Sequence, residues 1–90
     1  MPARTVSIRG LPDWLIRDYL VALGARPTDP LDASQLAAPN WTVSWTSRRV
    51  PMPGGAFALT QFEIVFDAGN NDILDGVEDA FLKKAQRGGG

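Results

Sequence analysis

Alternating apolar and polar residues predict one strand near the start of the chain and another in the middle of it. In TVSIRG, Val6 and Ile8 alternate with Thr5, Ser7 and Arg9, which is the period of a strand with one buried face. The segment NWTVSWTSRRV alternates most clearly, and a turn follows at Pro51, Pro53 and Gly54-Gly55. Its core-facing residues are Trp41, Val43 and Trp45, and its outward residues are Thr42, Ser44 and Thr46.

A further strand is predicted in FALTQFEIVFDAG. One face of this strand carries Phe62, Ile64 and Phe66. Phe57 and Leu59 are out of phase with that face. The offset of one residue near Thr60 and Gln61 predicts a β-bulge or a break into two strands.

Two helices are predicted from apolar residues that recur with helical spacing. In LPDWLIRDYLVALG, Pro12 suits the first helical position and Gly24 suits the end. The apolar stripe of this helix comprises Leu15, Ile16, Tyr19, Leu20 and Leu23. In NNDILDGVEDAFLKKAQR, either Asn70 or Asn71 caps the start, and Gly88 ends the helix. The stripe of the second helix comprises Ile73, Leu74, Val77, Ala80 and Phe81, and its last turns carry Lys83, Lys84 and Arg87.

The region between the first helix and the tryptophan-rich strand gives the weakest signal. Prolines interrupt residues 25–40, where we expect a short strand near Ser34–Ala37. The predicted fold class is α+β, in the order β-α-β(3–4)-α, with an antiparallel sheet of 4–5 strands and two helices on one face. We expect residues 1–87 to form a single domain and residues 88–90 to form a flexible glycine tail.

Composition narrows the range of functions. Nine basic and ten acidic residues give a net charge of −1, which argues against nucleic acid as a partner. The chain contains no cysteine and no histidine, so thiolate chemistry and Cys or His metal sites are excluded. We therefore expect no enzyme, and we assign no catalytic, cofactor-binding or metal-binding residues. The sequence has no long apolar run and no apolar signal region, so we expect a cytoplasmic protein that does not bind a membrane.

Three arginines form the candidate contact for an anion or a partner. Arg48 and Arg49 precede the proline-rich turn, and Arg9 lies on the outward face of the first strand. Arginine suits oxyanion binding because its guanidinium donates two parallel hydrogen bonds. The alternative is a solvated strand end that discourages sheet pairing.

Two other surfaces carry alternatives. Trp41, Trp45 and Phe62 either line a ligand pocket between the sheet and the long helix or form ordinary core. The opposite, hydroxyl-rich face of the sheet is either a docking surface or simply solvated. That face is predicted to include Thr5, Ser7, Thr42, Ser44, Thr46, Gln61 and Glu63. We also predict that this face or a free strand edge mediates self-association into a homo-oligomer.

The segments LPDWLIRDYLVALGA, FALTQFEIVFDAG and RGGG resemble the MoaD-related protein C-terminal domain family, an uncharacterised family of thermophilic bacteria. In relatives this domain is fused behind MoaD, the sulfur-carrier subunit of molybdopterin synthase. The resemblance runs from about Thr5 to Gly90, and it implies a TATA-binding-protein-like fold with the order strand, helix, four antiparallel strands, helix. The family has no established activity, so the resemblance supplies no catalytic residues.

Three functional hypotheses follow. The first is a non-enzymatic binding or accessory domain whose protein partner belongs to molybdopterin synthesis. The second is a sulfur-carrier-like substrate that is modified at Gly90, since activated carboxylates of sulfur carriers lie on Gly-Gly ends. The third is a small-molecule-binding domain that uses a cavity between the sheet and the long helix. A helix stop at Gly88 is the local alternative to a carrier tail.

Overall fold

Five antiparallel strands and two helices make up the described part of the chain. The computed structural model describes residues 2–29, 31, 34–55 and 57–89, with side chains described as far as residue 86. The elements are β1 (Ala3–Arg9), α1 (Asp13–Ala22), β2 (Arg26–Pro27), β3 (Gln35–Ala37), β4 (Trp41–Pro51), β5 (Ala58–Ala68) and α2 (Asn71–Gly89). The predicted α+β class is confirmed, and the element order agrees with the order that the resemblance implied.

The strands form one sheet in the order β1-β5-β4-β3-β2. The long β4–β5 hairpin lies at its centre, and the first strand pairs with the last. Both β1 and β2 are therefore edge strands, but β1 has seven residues whereas β2 has only two.

The hydrophobic core lies between one face of the sheet and the two helices. Alternate residues of the central strands supply it: Trp41, Val43 and Trp45 from β4, and Phe62, Ile64 and Phe66 from β5. The Phe66 ring contacts Phe81 of α2 edge-to-face, with the ring centroids 5.7 Å apart. The predicted inward and outward faces of these strands are confirmed.

The first helix is short and is tied to the sheet at its start. Pro12 has an extended backbone and is the N-cap residue, whereas the sequence predicted it as the first residue of the helix. The helix therefore begins one residue later than predicted. Ile16 and Leu20 are fully buried on the predicted stripe. Trp45 Nε1 donates a hydrogen bond to Asp13 Oδ1 at 2.8 Å, which fixes the helix start above β4.

The second helix begins at a side-chain cap and crosses β1 and β5. The Ile73 backbone N–H donates to Asn70 Oδ1 at 2.9 Å, so Asn70 is the cap. Arg4 of β1 forms ion pairs with Asp75 and Glu78 of this helix. The helix continues to Gly89, so the predicted end at Gly88 is too early.

The prediction of a β-bulge or a break into two strands near Thr60 and Gln61 is wrong, because β5 is one continuous strand. The register of β4 and β5 is unbroken, with Arg48 opposite Gln61 and Arg49 opposite Thr60. Leu59 lies on the outward face, and Phe57 is 64% exposed. The helices do not cover this end of the hairpin, so apolar residues here need not match the phase of the core.

The weak segment contains two short strands. The predicted strand near Ser34–Ala37 is confirmed as β3. Its partner β2 was missed, because Arg26 and Pro27 carry no strand signal and pair only through tertiary contact with Ala37 and Leu36.

Candidate functional site

The sheet face opposite the helices forms the candidate site, and we call it the open face. It is made by outward residues of β1, β4 and β5: Thr5, Ser7, Arg9, Thr42, Ser44, Thr46, Arg48, Gln61, Glu63 and Val65. All seven residues that the sequence assigned to a hydroxyl-rich face lie on it. Most of their side chains are exposed, because both helices pack on the other side.

A chain of hydrogen bonds crosses the open face from β1 to β5. Ser7 Oγ donates to Glu63 Oε2 at 2.7 Å, and Gln61 Nε2 donates to Glu63 Oε1 at 2.6 Å. Arg9 Nε in turn donates to Gln61 Oε1 at 2.7 Å. Gln61 is only 6% exposed, so its neighbours enclose it even on this uncovered face. These bonds hold Arg9 and Gln61 in defined positions.

Two guanidinium groups flank the buried glutamine. The register places Arg9 on one side of Gln61 and Arg48 on the other. The pKa of the Glu63 carboxyl is lowered by its hydrogen bonds from Ser7 and Gln61 and, to a smaller extent, by the charge of Arg48. Glu63 is therefore ionised at neutral pH, and two positive charges surround one negative charge. We call Arg9, Gln61 and Arg48 the arginine row.

The structure brings together two of the three predicted contact residues. Arg9 and Arg48 share the open face, whereas Arg49 points to the opposite side because successive residues of a strand alternate. Their role in binding an anion or a partner stays a prediction. Gly90, the predicted modification site, lies outside the described residues.

Of the two alternatives for the tryptophan cluster, a ligand pocket or ordinary core, the burial of its side chains supports ordinary core. Trp41, Trp45 and Phe62 are 8%, 3% and 2% exposed and belong to the core. A groove of about 360 Å³ does lie between the sheet and the long helix, at the end of β1 and the C-terminal half of α2. Its lining residues are Ile8, Arg9, Gly10, Leu11, Leu82, Ala85 and Gln86.

No three acidic side chains among the described residues converge as metal ligands. Within the same residues, neither helix has the length and apolar character needed to cross a membrane.

Comparison with known proteins identifies the family. The sequence profile of the family described as archaeal MoaD-like protein matches residues 4–90. The chain belongs to the archaeal MoaD-like protein family. Membership confirms the MoaD-related resemblance and suggests a link to sulfur-carrier or molybdopterin biosynthesis, in which MoaD-like proteins work with partner proteins. No curated protein matches the chain. The bacterial source, the fusion to a carrier and the TATA-binding-protein-like fold stay predictions.

For this MoaD-like chain, sequence reasoning missed the hydrogen-bond network. The spacing of Gln61 and Glu63 does predict that both lie on one face of a strand. Their connection to Ser7 and Arg9 depends on the register of β1 against β5. A sequence without its strand pairing does not give that register.

Proposed function

We propose that this chain is a non-enzymatic binding domain that serves sulfur-carrier or molybdopterin biosynthesis. We propose further that it binds an acidic surface of a protein partner through the open face. The arginine row carries this proposal, because it places two guanidinium groups on an exposed, hydroxyl-rich surface. Family membership supports the pathway.

The chemistry of the row favours a carboxylate. Arginine binds carboxylates through paired N–H donors, and such charge-assisted hydrogen bonds are among the stronger ones. Arg9 is already oriented by Gln61, so less side-chain entropy is lost when a partner binds. Arg9 and Arg48 carry two positive charges, whereas the neighbouring Glu63 carries one negative charge, so this part of the open face keeps an excess of positive charge.

The experiment titrates the isotope-labelled chain with purified proteins of molybdopterin biosynthesis from the same host. The proteins are the sulfur carrier, its adenylating enzyme and the large subunit of the synthase. We expect one of them to shift the backbone amide signals of the open face, with smaller shifts on the helices. Absence of binding to all three would contradict the pathway assignment. Shifts confined to the helices would contradict the assignment of the surface.

Two neighbouring substitutions provide a matched pair. Arg48→Glu reverses a charge in the arginine row, whereas Arg49→Glu makes the same change on the opposite side of the strand. We expect Arg48→Glu to weaken partner binding by about tenfold or more, corresponding to about 1.4 kcal/mol. Arg49→Glu is expected to change binding by less than about twofold. Equal effects would show that general charge, and not the row, controls binding.

The family match also supports a second candidate, a sulfur carrier modified at Gly90. The match extends to that residue, whereas the residues that precede it are helical as far as Gly89 and are not extended as a strand-like tail would be. The test is mass spectrometry of the protein from its host, with and without Gly89 and Gly90. A terminal thiocarboxylate, in which sulfur replaces one carboxyl oxygen, would favour the carrier over the binding domain. Unmodified protein under conditions that load a known carrier would argue against it.

A further inference from the structure

The free edge of β1 is the longer unpaired strand edge of the described sheet. This strand forms its ladder with β5 alone and lies at the end of the strand order. Its seven residues contain no proline, and their register shows no bulge. The opposite edge, β2, has two residues and includes Pro27. Native sheets commonly protect their edges with short strands, prolines, bulges or charged side chains, and of these β1 has only charges: Arg4, which is paired with Asp75 and Glu78, and Arg9.

The backbone groups that point outward from β1 follow from its ladder. Gly10 N–H donates to the Thr60 carbonyl, and Ala68 N–H donates to the Pro2 carbonyl. The even-numbered positions are therefore the hydrogen-bonded pairs with β5, because such pairs alternate along an antiparallel ladder. The N–H and C=O groups of the odd-numbered residues point away from the sheet. Those residues are Ala3, Thr5, Ser7 and Arg9.

We propose that β1 pairs antiparallel with β1 of a second copy of this chain, with a two-fold axis at Val6. In this register Ala3 faces Arg9 of the other copy, and Thr5 faces Ser7. All four outward residues of each copy then lie in hydrogen-bonded pairs, and each pair exchanges two hydrogen bonds. The result is a continuous ten-stranded sheet.

The two neighbouring registers form fewer hydrogen-bonded pairs between the copies. A two-fold axis at Ser7 leaves Ala3 without an opposite residue in β1, and an axis at Thr5 does the same to Arg9. Either shift reduces the number of hydrogen-bonded pairs from four to three. The register centred on Val6 also places no like charges directly opposite each other, because Arg9 faces Ala3 and Arg4 faces Ile8.

The charge distribution of α2 also favours a second copy as the occupant. The acidic first half of this helix lies beside the start of β1, where Arg4 pairs with Asp75 and Glu78. Its second half carries Lys83 and Lys84 and borders the groove at the end of β1. A two-fold axis through the middle of β1 directs the acidic half of one α2 toward the basic half of the other. Complementary potentials of this kind guide association and suppress wrong partners.

The groove supplies apolar surface for the same contact. Leu82 is a large apolar side chain that is 37% exposed, and it lines the groove beside Ile8 and Gly10. Pairing at the β1 edge brings the second copy next to this groove. The interface does not depend on the open-face contact, because edge pairing leaves the open face of both copies uncovered.

Sedimentation of the full chain over a range of concentrations tests the proposal. We expect a monomer–dimer equilibrium in the unmodified protein. Thr5→Pro removes a backbone N–H that points to the free edge and none that bonds to β5, a place where a strand tolerates proline. It should weaken dimerisation by about tenfold or more. Thr5→Val keeps that N–H and should dimerise like the unmodified protein.

A monomer at every concentration, or a dimer that Thr5→Pro leaves unchanged, would overturn the proposal. Cross-linking gives a second measurement if the proline variant does not fold. The chain has no native cysteine, so Thr5→Cys and Ser7→Cys proteins are mixed and oxidised. Directly opposed residues have Cα atoms about 5.5 Å apart, which suits a disulfide. We expect the mixed disulfide to form faster than either like-with-like disulfide. Preferential like-with-like cross-linking would overturn the register.

Discussion

The two faces of the β4–β5 hairpin are built from alternate residues of the same two eleven-residue strands. On the inner face, Trp45 and Phe66 are almost completely buried against the helices. On the open face, Thr46 and Arg48 are exposed. Burial of large apolar side chains is the main favourable term in folding, whereas exposed polar residues contribute little. Burial on the inner face therefore supplies most of the stability that the hairpin contributes.

The contrast fades toward the hairpin tip. Ser47 and Arg49 occupy inner positions, yet both are exposed, because the helices do not extend over this part of β4. The hairpin tip consequently has two solvated faces. This region shows that the alternation of a strand has energetic consequences only where another layer covers one side.

The largest effect should come from substituting an inner tryptophan. Trp45→Ala removes a side chain that is 3% exposed and leaves Asp13 without its indole partner. We expect a loss of about 3–5 kcal/mol in the free energy of unfolding, measured by urea denaturation. The matched control is Trp14→Ala, because Trp14 is 62% exposed on α1. It should cost less than about 1 kcal/mol. Similar losses of unfolding free energy in both variants would contradict the expected difference between buried and exposed positions.

An intermediate effect is expected from the buried residue of the open face. Gln61→Ala removes hydrogen bonds to Arg9 and Glu63 at a position that is 6% exposed. We expect a loss of about 1–2 kcal/mol in the free energy of unfolding. Gln35→Ala provides the control, since Gln35 is an exposed glutamine on β3, and it should change stability by less than about 0.5 kcal/mol. If the two variants behave alike, the network on the open face adds no stability.

Sequence predicted the fold well wherever one layer covers another. Burial on one side leaves a recognisable pattern in the sequence, so β4 and α1 were both predicted. In β4 the pattern is the alternation of Trp41, Val43 and Trp45, and in α1 it is the stripe that contains Ile16 and Leu20. The bulge was a wrong interpretation because Phe57 and Leu59 lie beyond the covered region. Strand β2 was missed because its two residues form a strand only through pairing with β3.

The sequence predicts which residues of the candidate site lie on one face of the sheet, but it does not predict which of them are neighbours. Alternation assigns Arg9 and Arg48 to outward positions, and it separates Arg48 from Arg49. That Arg9 and Arg48 both flank Gln61 depends on the registers of two strand pairs. Register is set by long-range packing of the inner face. The core therefore determines the geometry of the site on the other side of the sheet.

The smallest effect concerns the charge of Glu63. Its pKa in the folded chain lies below the ordinary value of 4.5, first because of the hydrogen bond from Ser7, then that from Gln61, and last because of Arg48. A lowered folded-state pKa means that ionised Glu63 stabilises the fold above the ordinary pKa, and that this contribution is lost as the pH falls through the folded-state pKa. The difference in unfolding midpoint between the unmodified protein and Glu63→Gln should therefore be present at neutral pH and shrink in acid.

Carbon-detected titration of the Glu63 carboxyl measures the same pKa directly and ranks its causes. Ser7→Ala removes the largest contribution and should raise the pKa of Glu63 toward 4.5. Arg48→Ala removes only a charge at the solvated surface, where salt screens the interaction, and should raise the pKa by less. Added salt should reduce the Arg48 contribution and leave that of Ser7 nearly unchanged. A larger shift from Arg48→Ala than from Ser7→Ala would mean that charge, and not the hydrogen-bond chain across β1 and β5, orders this part of the open face.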